Sequence, residues 1–470
     1  MVNARNLVAA GMLIVLAGCA EVGPDYKVPA DAIINAPEAN GAFIAGGLAA
    51  SDAPLPDHWW HLFNDPVLDD LVEKALANNV DLRAAQANLE RSGALLAEVR
   101  DERDLRVAAD AETSYTQQSA QAVLSHVEPP RHEIYNVGIT MSYDLDLFGG
   151  IRRGIEAASA RDEAVVAARD LVRVNVAAET ARAYADLCNA GNQIEVLKRV
   201  ILVQQRSLAL TQQLITHGRA ASFDQARQQG PIEGSRSQLA PLQARQLNAA
   251  FRLATLMGKP PEQYDRSLLA CHTSLTLQVL LPTGDGRALL QRRPDVRAAE
   301  RWLAASTADV GVATAALYPD IMLGATIGST GAASSAFGPL TNRFAVGPLV
   351  SWDLHRSAVR DRISAAQAQT RASLANFDST VLVALRETET SLDTYAGALN
   401  QLQRLKAARD LAMVVNKSTS ELRRGGKVGG LVALDAERTW VNSEAAVASA
   451  EAEVNGDQIN TFLALGGGWQ

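Results

Sequence analysis

The 470-residue chain has little of what marks enzymes, metal proteins and nucleic-acid-binding proteins. It holds three cysteines and seven scattered histidines, and no phosphate loop, dinucleotide fingerprint or nucleophile elbow occurs. His58 and His61 stand three apart, but two ligands do not close a metal site. The formal net charge of −8 disfavours nucleic acid as a partner. We therefore expect no catalytic site, no metal and no cofactor.

Long apolar runs are also missing. After the N-terminal segment, no uncharged apolar stretch reaches the roughly 18 residues that indicate a membrane-spanning helix. Any membrane crossing must therefore use another kind of structure.

The N-terminus has the features of a secretory signal that ends at a lipidated cysteine. Arg5 precedes an apolar run over residues 7–17, which is too short to span a bilayer. Small residues stand before Cys19, where cleavage would leave a thiol that carries diacylglycerol, and two or three acyl chains give stable anchoring. Ala20 replaces the aspartate that retains lipoproteins in the inner membrane. The sequence therefore predicts a signal peptide over residues 1–18 and an outer-membrane lipid anchor at Cys19.

Two cysteines remain once Cys19 is assigned to lipid. Cys188 and Cys271 could pair in an oxidising periplasm. One pair in so long a chain is not a disulfide framework. We therefore expect both thiols to be free.

Composition and repetition divide the mature chain into an arm and two similar halves. The arm is rich in Pro, Gly and Ala and is predicted to be extended. The sequence Asp81-Leu82-Arg83-Ala84-Ala85 recurs as Asp295-Val296-Arg297-Ala298-Ala299, and each half predicts helix, strand, strand, long helix, turn and long helix. The predicted segments are an arm at 19–57, a first repeat at 58–257, a linker at 258–288, a second repeat at 289–465 and a tail at 466–470.

Four strands are predicted from alternation of apolar and polar side chains. They lie at residues 107–115, 135–147, 321–327 and 344–354. Strands of about 9–11 residues with one apolar and one polar face are typical of membrane barrels, although a soluble sandwich strand also alternates. Asp144, Asp146 and Asp353 fall at polar positions, so we predict that all three line a lumen.

Two very long helices are predicted after the strand pairs, from about Ile155 to His217 and from about Ser357 to Arg424. Leucine and isoleucine recur in them at seven-residue spacing, at Leu187, Ile194, Ile201, Leu208 and Ile215, and at Leu385, Leu392 and Leu399. Such a seam requires a partner helix. Sixty residues at 1.5 Å per residue extend for about 90 Å.

Four strands cannot close a barrel by themselves. Closure needs about eight or more, and an open edge would leave unpaired N–H and C=O groups in lipid. The chain must therefore assemble in several copies around an axis if its strands enter a membrane.

Five motifs occur in a characteristic order. They are Cys19 with Gly23-Pro24-Asp25-Tyr26; Trp59-Trp60 with Asp65-Pro66; Tyr143 to Gly149; Arg292-Arg293-Pro294-Asp295-Val296; and Leu465 to Trp469. With these motifs the chain resembles the TolC-like outer-membrane factors of tripartite efflux pumps, in their lipoprotein branch. The resemblance implies a mixed α and β membrane protein: a homotrimer with a 12-stranded β-barrel, four strands per chain, continued by a long periplasmic α-helical barrel.

The same resemblance implies a passive exit channel for small molecules such as drugs. Its partners would be outer-membrane lipid, a periplasmic adaptor (membrane fusion) protein that opens the tunnel, and an inner-membrane transporter of the RND type that supplies energy. Two alternatives remain open: an export channel of the same fold for proteins, and a periplasmic coiled-coil lipoprotein without a pore.

The resemblance also implies a gate at the periplasmic tip. Asp435 matches the family's gate carboxylate, and three copies would form a ring that repels itself and binds cations. Leu431 or Leu434 would supply an apolar constriction. Val432 stands where the family often has a second carboxylate, and Arg423 replaces a tyrosine that commonly forms a hydrogen-bond latch.

The first-half hairpin departs from the family at Gly230-Pro231. Proline inside a helix removes a hydrogen bond and clashes with the preceding turn, at a cost of about 3 kcal/mol. We expect a kink or local unwinding there.

Overall fold

The structure is a computed structural model that describes residues 21–45, 47, 50–121, 124, 126–277 and 279–467. Its α-helices are α1 (Pro66–Asn78), α2 (Val80–Asp101), α3 (Gly150–Thr216), α4 (Ser222–Ser237), α5 (Leu239–Leu256), α6 (Gly286–Arg292), α7 (Pro294–Ala315), α8 (Arg356–Arg424) and α9 (Gly430–Ala464). Its strands are β1 (Ala50–Ser51), β2 (Arg106–Thr116), β3 (His132–Asp144), β4 (Leu281–Pro282), β5 (Asp320–Ala332) and β6 (Asn342–Ser351). Among the described residues, no helix combines the length and the apolar character that a membrane crossing requires.

Three predicted features lie outside the described residues. They are the signal peptide at 1–18, the lipidation site Cys19, and residues 468–470 of the predicted tail.

One compact unit contains the four main strands. It is formed by the described residues up to Pro29 together with residues 89–165 and 298–377. The strands pair antiparallel in the order β2-β3-β5-β6, and Ile139 lies opposite both Ala109 and Ile327. Because directly opposite residues share a face, this register aligns the apolar positions of all four strands. The alternating apolar residues of the four strands therefore form one continuous apolar face.

The second compact unit is helical and holds the main core. It comprises residues 30–88, 166–297 and the described residues from 378 onward. The ring of Trp59 stacks on Phe462 with 4.5 Å between centroids. Asp65 caps α1 by accepting the backbone N–H groups of Val67 and Leu68, and Pro66 occupies the first helical position, where its missing N–H costs nothing. The aromatic and Asp-Pro motifs of the sequence are thus core and capping elements.

The two long helices form as the heptad spacing predicts. Helix α3 has 67 residues and α8 has 69, so each extends for about 100 Å. Leu187, Ile194 and Ile201 are buried, which confirms the first part of the seam. The order helix, strand, strand, long helix, turn and helix occurs once in each half.

The prediction that Cys188 and Cys271 are free is wrong. They form a disulfide between α3 and the segment that links the two repeats. The close approach depends on Gly191, one turn along α3, because a Cβ there would lie 2.1 Å from the carbonyl oxygen of Cys271. The glycine lets the linker backbone rest directly on the helix, which brings the two sulfur atoms together.

The unwinding expected at Gly230-Pro231 occurs elsewhere. Helix α4 continues through Pro231, and the break between α4 and α5 lies at Gln238. Gly230 has no Cβ, which removes one of the clashes that keep a residue before proline out of the helical region. Ile232 is buried in a cluster with Val200 of α3 and Val441 of α9, so packing holds this part of the helix in place.

The predicted extended arm is folded against the helical unit. Two short 3-10 turns lie at Ile33–Asn35 and Pro37–Ala39. Asp378 of α8 accepts the N–H of Ile33 at 2.9 Å, and Glu389 accepts the backbone N–H groups of Ile44 and Ala45. Further along, β1 pairs in parallel with β4. The arm is therefore held by specific backbone contacts.

Candidate functional site

The predicted gate residue Asp435 lies in the second turn of α9, close to the α8–α9 connection. Its Oδ1 accepts a hydrogen bond from Nη2 of Arg438, three residues along the same helix. The Asp435 carboxylate is exposed but paired within its own chain. A ring of three copies would consist of ion pairs, whereas the sequence predicted bare carboxylates.

The two leucines proposed for the constriction have different environments. Leu434 is 6% exposed and packs inside the chain, whereas Leu431 is 43% exposed. The neighbouring Val432 is also exposed. Among the three, only Leu431 and Val432 have side chains free to meet another copy.

The two hairpin connections lie at the same end of the helical unit. Arg206 of α3 forms an ion pair with Glu437 of α9 at 3.1 Å, and the Cδ2 of Leu210 would be 2.7 Å from a Cβ at Gly430. The N-terminus of α9 therefore packs against the last turns of α3.

The carboxylates predicted to line a lumen do not share one strand. Strand β3 ends at Asp144, and Asp146 has a left-handed φ of 38°. Asp146 accepts the backbone N–H groups of Ile151 and Arg152, both at 3.0 Å, which places its negative charge at the N-terminus of α3. The prediction for Asp146 is therefore corrected: it caps a helix.

Asp353 also lies beyond its strand, since β6 ends at Ser351. Its Oδ1 accepts the N–H of His355 at 2.9 Å in the turn before α8. Of the three predicted lumen residues, only Asp144 belongs to a strand. After each of these two strands, apolar and polar residues go on alternating in the turn, although the strand has already ended.

Arg153 holds the first described residues of the chain. It is 3% exposed and pairs with Glu21 at 3.4 Å and with Asp25 and Glu156 at 2.7 Å each. It also donates to the carbonyl of Val22 at 3.1 Å. The hydrogen bond from Arg153 holds the pKa of Asp25 below its usual range. Arg153 thus fixes the segment that follows Cys19 to the start of α3.

A carboxylate lies beside one of the two closely spaced histidines, His58 and His61. Nδ1 of His61 lies 2.7 Å from Oδ1 of Asp69. Within the part of the chain that the structure describes, no group of three or more His, Cys, Asp or Glu side chains is placed to hold a metal ion.

A known protein family matches both structural repeats. The model of the family described as "Outer membrane efflux protein" matches residues 71–259 and 286–467, which together make up most of the chain. This chain belongs to that family.

Similar proteins cover the chain almost completely. The probable efflux pump outer membrane protein TtgC of Pseudomonas putida is 28% identical over 97% of this chain and 94% of that protein. The probable outer membrane lipoprotein SilC of Salmonella typhimurium is 25% identical over 99% of both chains. The solved structure of the outer-membrane channel OprN is 34% identical, with a TM-score of 0.85 over 95% of this chain and 99% of that one.

The match to this family confirms the resemblance, the cellular location and the function that were predicted from the sequence. The chain is an internally duplicated outer-membrane efflux channel of mixed helix and strand. Its activity is transport, and its place is the outer membrane of the cell.

The sequence did not single out two arginines that the structure places in key positions. Arg438 follows Asp435 at the i,i+3 spacing that permits an ion pair on a helix, so this pair had a signal. Arg153 pairs with Glu156 at the same spacing, but its contact with Asp25 had no such signal, because 128 positions separate the two residues.

Proposed function

We propose that this outer membrane efflux protein is a lipid-anchored homotrimer that forms a passive exit tunnel for small molecules. The observation that carries the proposal is the four-stranded sheet, whose two outer strands β2 and β6 have no further strand beside them within the described chain. Three copies joined edge to edge give twelve strands and remove every open edge.

Exposed apolar side chains support the assembly. Phe344 and Val346 of β6 stand on the apolar face of the sheet and are largely exposed in the single chain. Leu411, Val415 and Leu422 are exposed on one side of α8 near its C-terminus. The strand residues are suited to lipid, and the helix residues to the neighbouring helices of a tunnel.

The gate of this channel would be a ring of Asp435–Arg438 pairs with Leu431 and Val432 beside it. Each pair is neutral, so the ring attracts cations less than three bare carboxylates would. Exposed ion pairs contribute little energy each, which suits a constriction that must open. Leu431 and Val432 resist the entry of water and ions while the tunnel is closed.

The hairpin tips would bind the periplasmic adaptor that opens the tunnel. Arg219 of the α3–α4 connection is exposed, as are Arg423 and Arg424 in the last turn of α8 and Lys427 of the α8–α9 connection. These side chains offer hydrogen-bond donors to the partner. An inner-membrane transporter of the RND type would supply the energy through that adaptor.

The chain itself would carry out no chemistry and bind no cofactor apart from lipid on Cys19. SilC, a relative that covers nearly the whole chain, is described as a probable outer membrane lipoprotein. Arg153 supports this anchor, because it holds residues 21–25 in place just after the predicted lipidation site.

Conductance of the purified protein in planar bilayers tests the channel and its gate. We expect Asp435→Ala to raise the resting conductance, because it shortens the side chain that each copy places at the constriction and removes its pairing with Arg438 on the same helix. We expect Arg438→Ala to strengthen block by divalent cations, because it leaves three unpaired carboxylates in a narrow ring.

Glu233→Ala is the matched control, since Glu233 and Arg236 form an exposed i,i+3 pair on α4, a helix that carries none of the proposed gate residues. It should change neither conductance nor block. A protein that stays electrically silent even with Asp435→Ala would contradict the pore. Equal behaviour of the three variants would contradict the gate alone.

A further inference from the structure

One row of opposite residues crosses the whole sheet and joins a carboxylate to a guanidinium through two glycines. Asp110 of β2 lies opposite Gly138 of β3, Gly138 opposite Gly328 of β5, and Gly328 opposite Arg343 of β6. Opposite residues share a face, and these four belong to the polar face. The two glycines, here called the glycine floor, leave bare backbone between the charged side chains.

The side chain of Arg343 lies over the glycine floor. Its Nη2 donates a 2.8 Å hydrogen bond to Oδ1 of Asn136 on β3, two strands away. The same oxygen accepts a hydrogen bond from Oγ1 of Thr330 at 3.0 Å. A Cβ at Gly138 would lie only 3.0 Å from Nη2 of Arg343. A side chain at Gly138 would therefore push the guanidinium off the sheet.

The charge around this row is unequal. Along the middle of the polar face, at residues 108–112 and the positions opposite them, the described side chains include two carboxylates, Asp110 and Glu112. Arg343 is the cation that this stretch provides.

We propose that Arg343 determines the charge preference of this stretch of the barrel lumen, and that the glycine floor holds its guanidinium flat against the wall. The proposal rests on the proposed function, because solutes reach Arg343 only if the polar face lines an open lumen. In a trimer three guanidinium groups offset half of the charge on six carboxylates. Anionic solutes then meet a less repulsive wall, and the flat side chain leaves the bore wide.

A reporter thiol measures the local electrostatic potential independently of the periplasmic gate. Thr140→Cys places it on the polar face of β3, two residues from Gly138, and the native Cys188 and Cys271 are already joined. Methanethiosulfonate reagents of positive and negative charge are added from the outside, and the ratio of their reaction rates is recorded. We expect Arg343→Gln to raise the ratio of positive to negative reagent by about threefold.

A second reporter limits the effect to this part of the lumen. Ser351→Cys lies eight residues from Arg343 along β6, about 27 Å away and well beyond the roughly 8–10 Å screening length in physiological salt. Its ratio should not change with Arg343→Gln. An equal change at both thiols, or no change at Thr140→Cys, would overturn the proposal.

The glycine floor has its own test. Gly138→Val should raise the ratio at Thr140→Cys by less than Arg343→Gln does, because it moves the charge without removing it. Gly347→Val is the control on the same face, since a Cβ there meets nothing within 4 Å. An effect of Gly347→Val as large as that of Gly138→Val would contradict the role of the floor. If neither thiol reacts with either reagent, the polar face is not in contact with water and the proposed channel itself fails.

Discussion

At the scale of single residues, the helical unit contains a carboxylate whose burial is not compensated. Oδ2 of Asp457 on α9 is buried and has no hydrogen-bond partner in the described part of the chain. Burial, and after it the nearby Glu453 carboxylate, raise the pKa of Asp457. Both effects disfavour the ionised form.

Stability should therefore depend on pH in a defined direction at Asp457. A carboxyl whose pKa is higher in the folded than in the unfolded chain costs stability as the pH rises from the unfolded value of about 3.9 to the folded pKa. We expect Asp457→Asn to raise the melting temperature at neutral pH. The gain should shrink as the pH falls through the raised pKa and vanish below about pH 4.

Thermal unfolding of the detergent-solubilised protein, followed by circular dichroism across this pH range, measures the gain. Asp410→Asn is the control, because the exposed Asp410 is paired with Arg409 at 2.7 Å. A gain for Asp457→Asn that is the same at every pH would show that shape, and not charge, is responsible.

At the scale of elements, the disulfide joins the linker between the repeats to α3, one of the two long helices. Tyr184, one turn before Cys188 on α3, donates to Asp65 at 3.0 Å, so the same stretch of α3 also holds the cap of α1. The disulfide, Tyr184 and Gly191 thus hold the linker and the N-terminal cap of α1 against the same stretch of α3.

Gly191→Ala should prevent the disulfide from forming. The added methyl would lie 2.1 Å from a backbone oxygen of Cys271, which cannot move without shifting the linker. Alkylation without reductant, followed by mass spectrometry, should find two free thiols. Gly397→Ala on α8 has open space at its Cβ and should keep the disulfide. An intact bond in Gly191→Ala would contradict this account of the close approach.

The loss of the bond itself has a calculable scale. Cys188 and Cys271 are 83 residues apart, and a closed loop of that length limits the unfolded chain by about 4–5 kcal/mol in the chain-entropy model. Removing both thiols, with Cys188→Ser and Cys271→Ser, should lower the melting temperature, and reductant should have no further effect on that variant.

Helices and strands that depend on a local pattern could be predicted from the sequence. Contacts between residues far apart in the sequence could not. The alternation around Ile139 predicted a strand, and the heptad at Leu187 predicted a long helix; both are confirmed. The end of β3 was placed at Leu147 and not at Asp144, because Leu145 and Asp146 continue the alternation into a turn. The disulfide was missed because nothing near Cys271 indicates that the linker returns to α3.

The candidate site shows the same division. Asp435 was found through the family resemblance, and its partner Arg438 follows from helical spacing. The contact between Arg343 and Asn136 spans 207 positions in the sequence and depends on the register of three strands. Only the paired sheet reveals that Gly138 and Gly328 lie beneath that arginine.

At the scale of the whole molecule, the proposed trimer requires that the two faces of β6 meet different solvents. Val346 is 80% exposed in the single chain on the apolar face, and the adjacent Ala345 is on the polar face. Moving by one residue along a strand exchanges the face. The same substitution at these two neighbours therefore compares lipid with lumen.

We expect Val346→Arg to abolish the trimer and Ala345→Arg to preserve it. An arginine facing the bilayer midplane costs about 2–4 kcal/mol in each chain, and a trimer contains three, whereas an arginine at residue 345 stays in water. Isolated outer membranes run on unheated denaturing gels would show the heat-sensitive trimer band in the second variant and not in the first. Equal tolerance of both would place the sheet outside the membrane, and a wild-type protein that is monomeric in detergent by light scattering would remove the need for a shared barrel.

The trimer of Ala345→Arg should also conduct less in planar bilayers, because its three added side chains enter the bore that the glycine floor keeps wide.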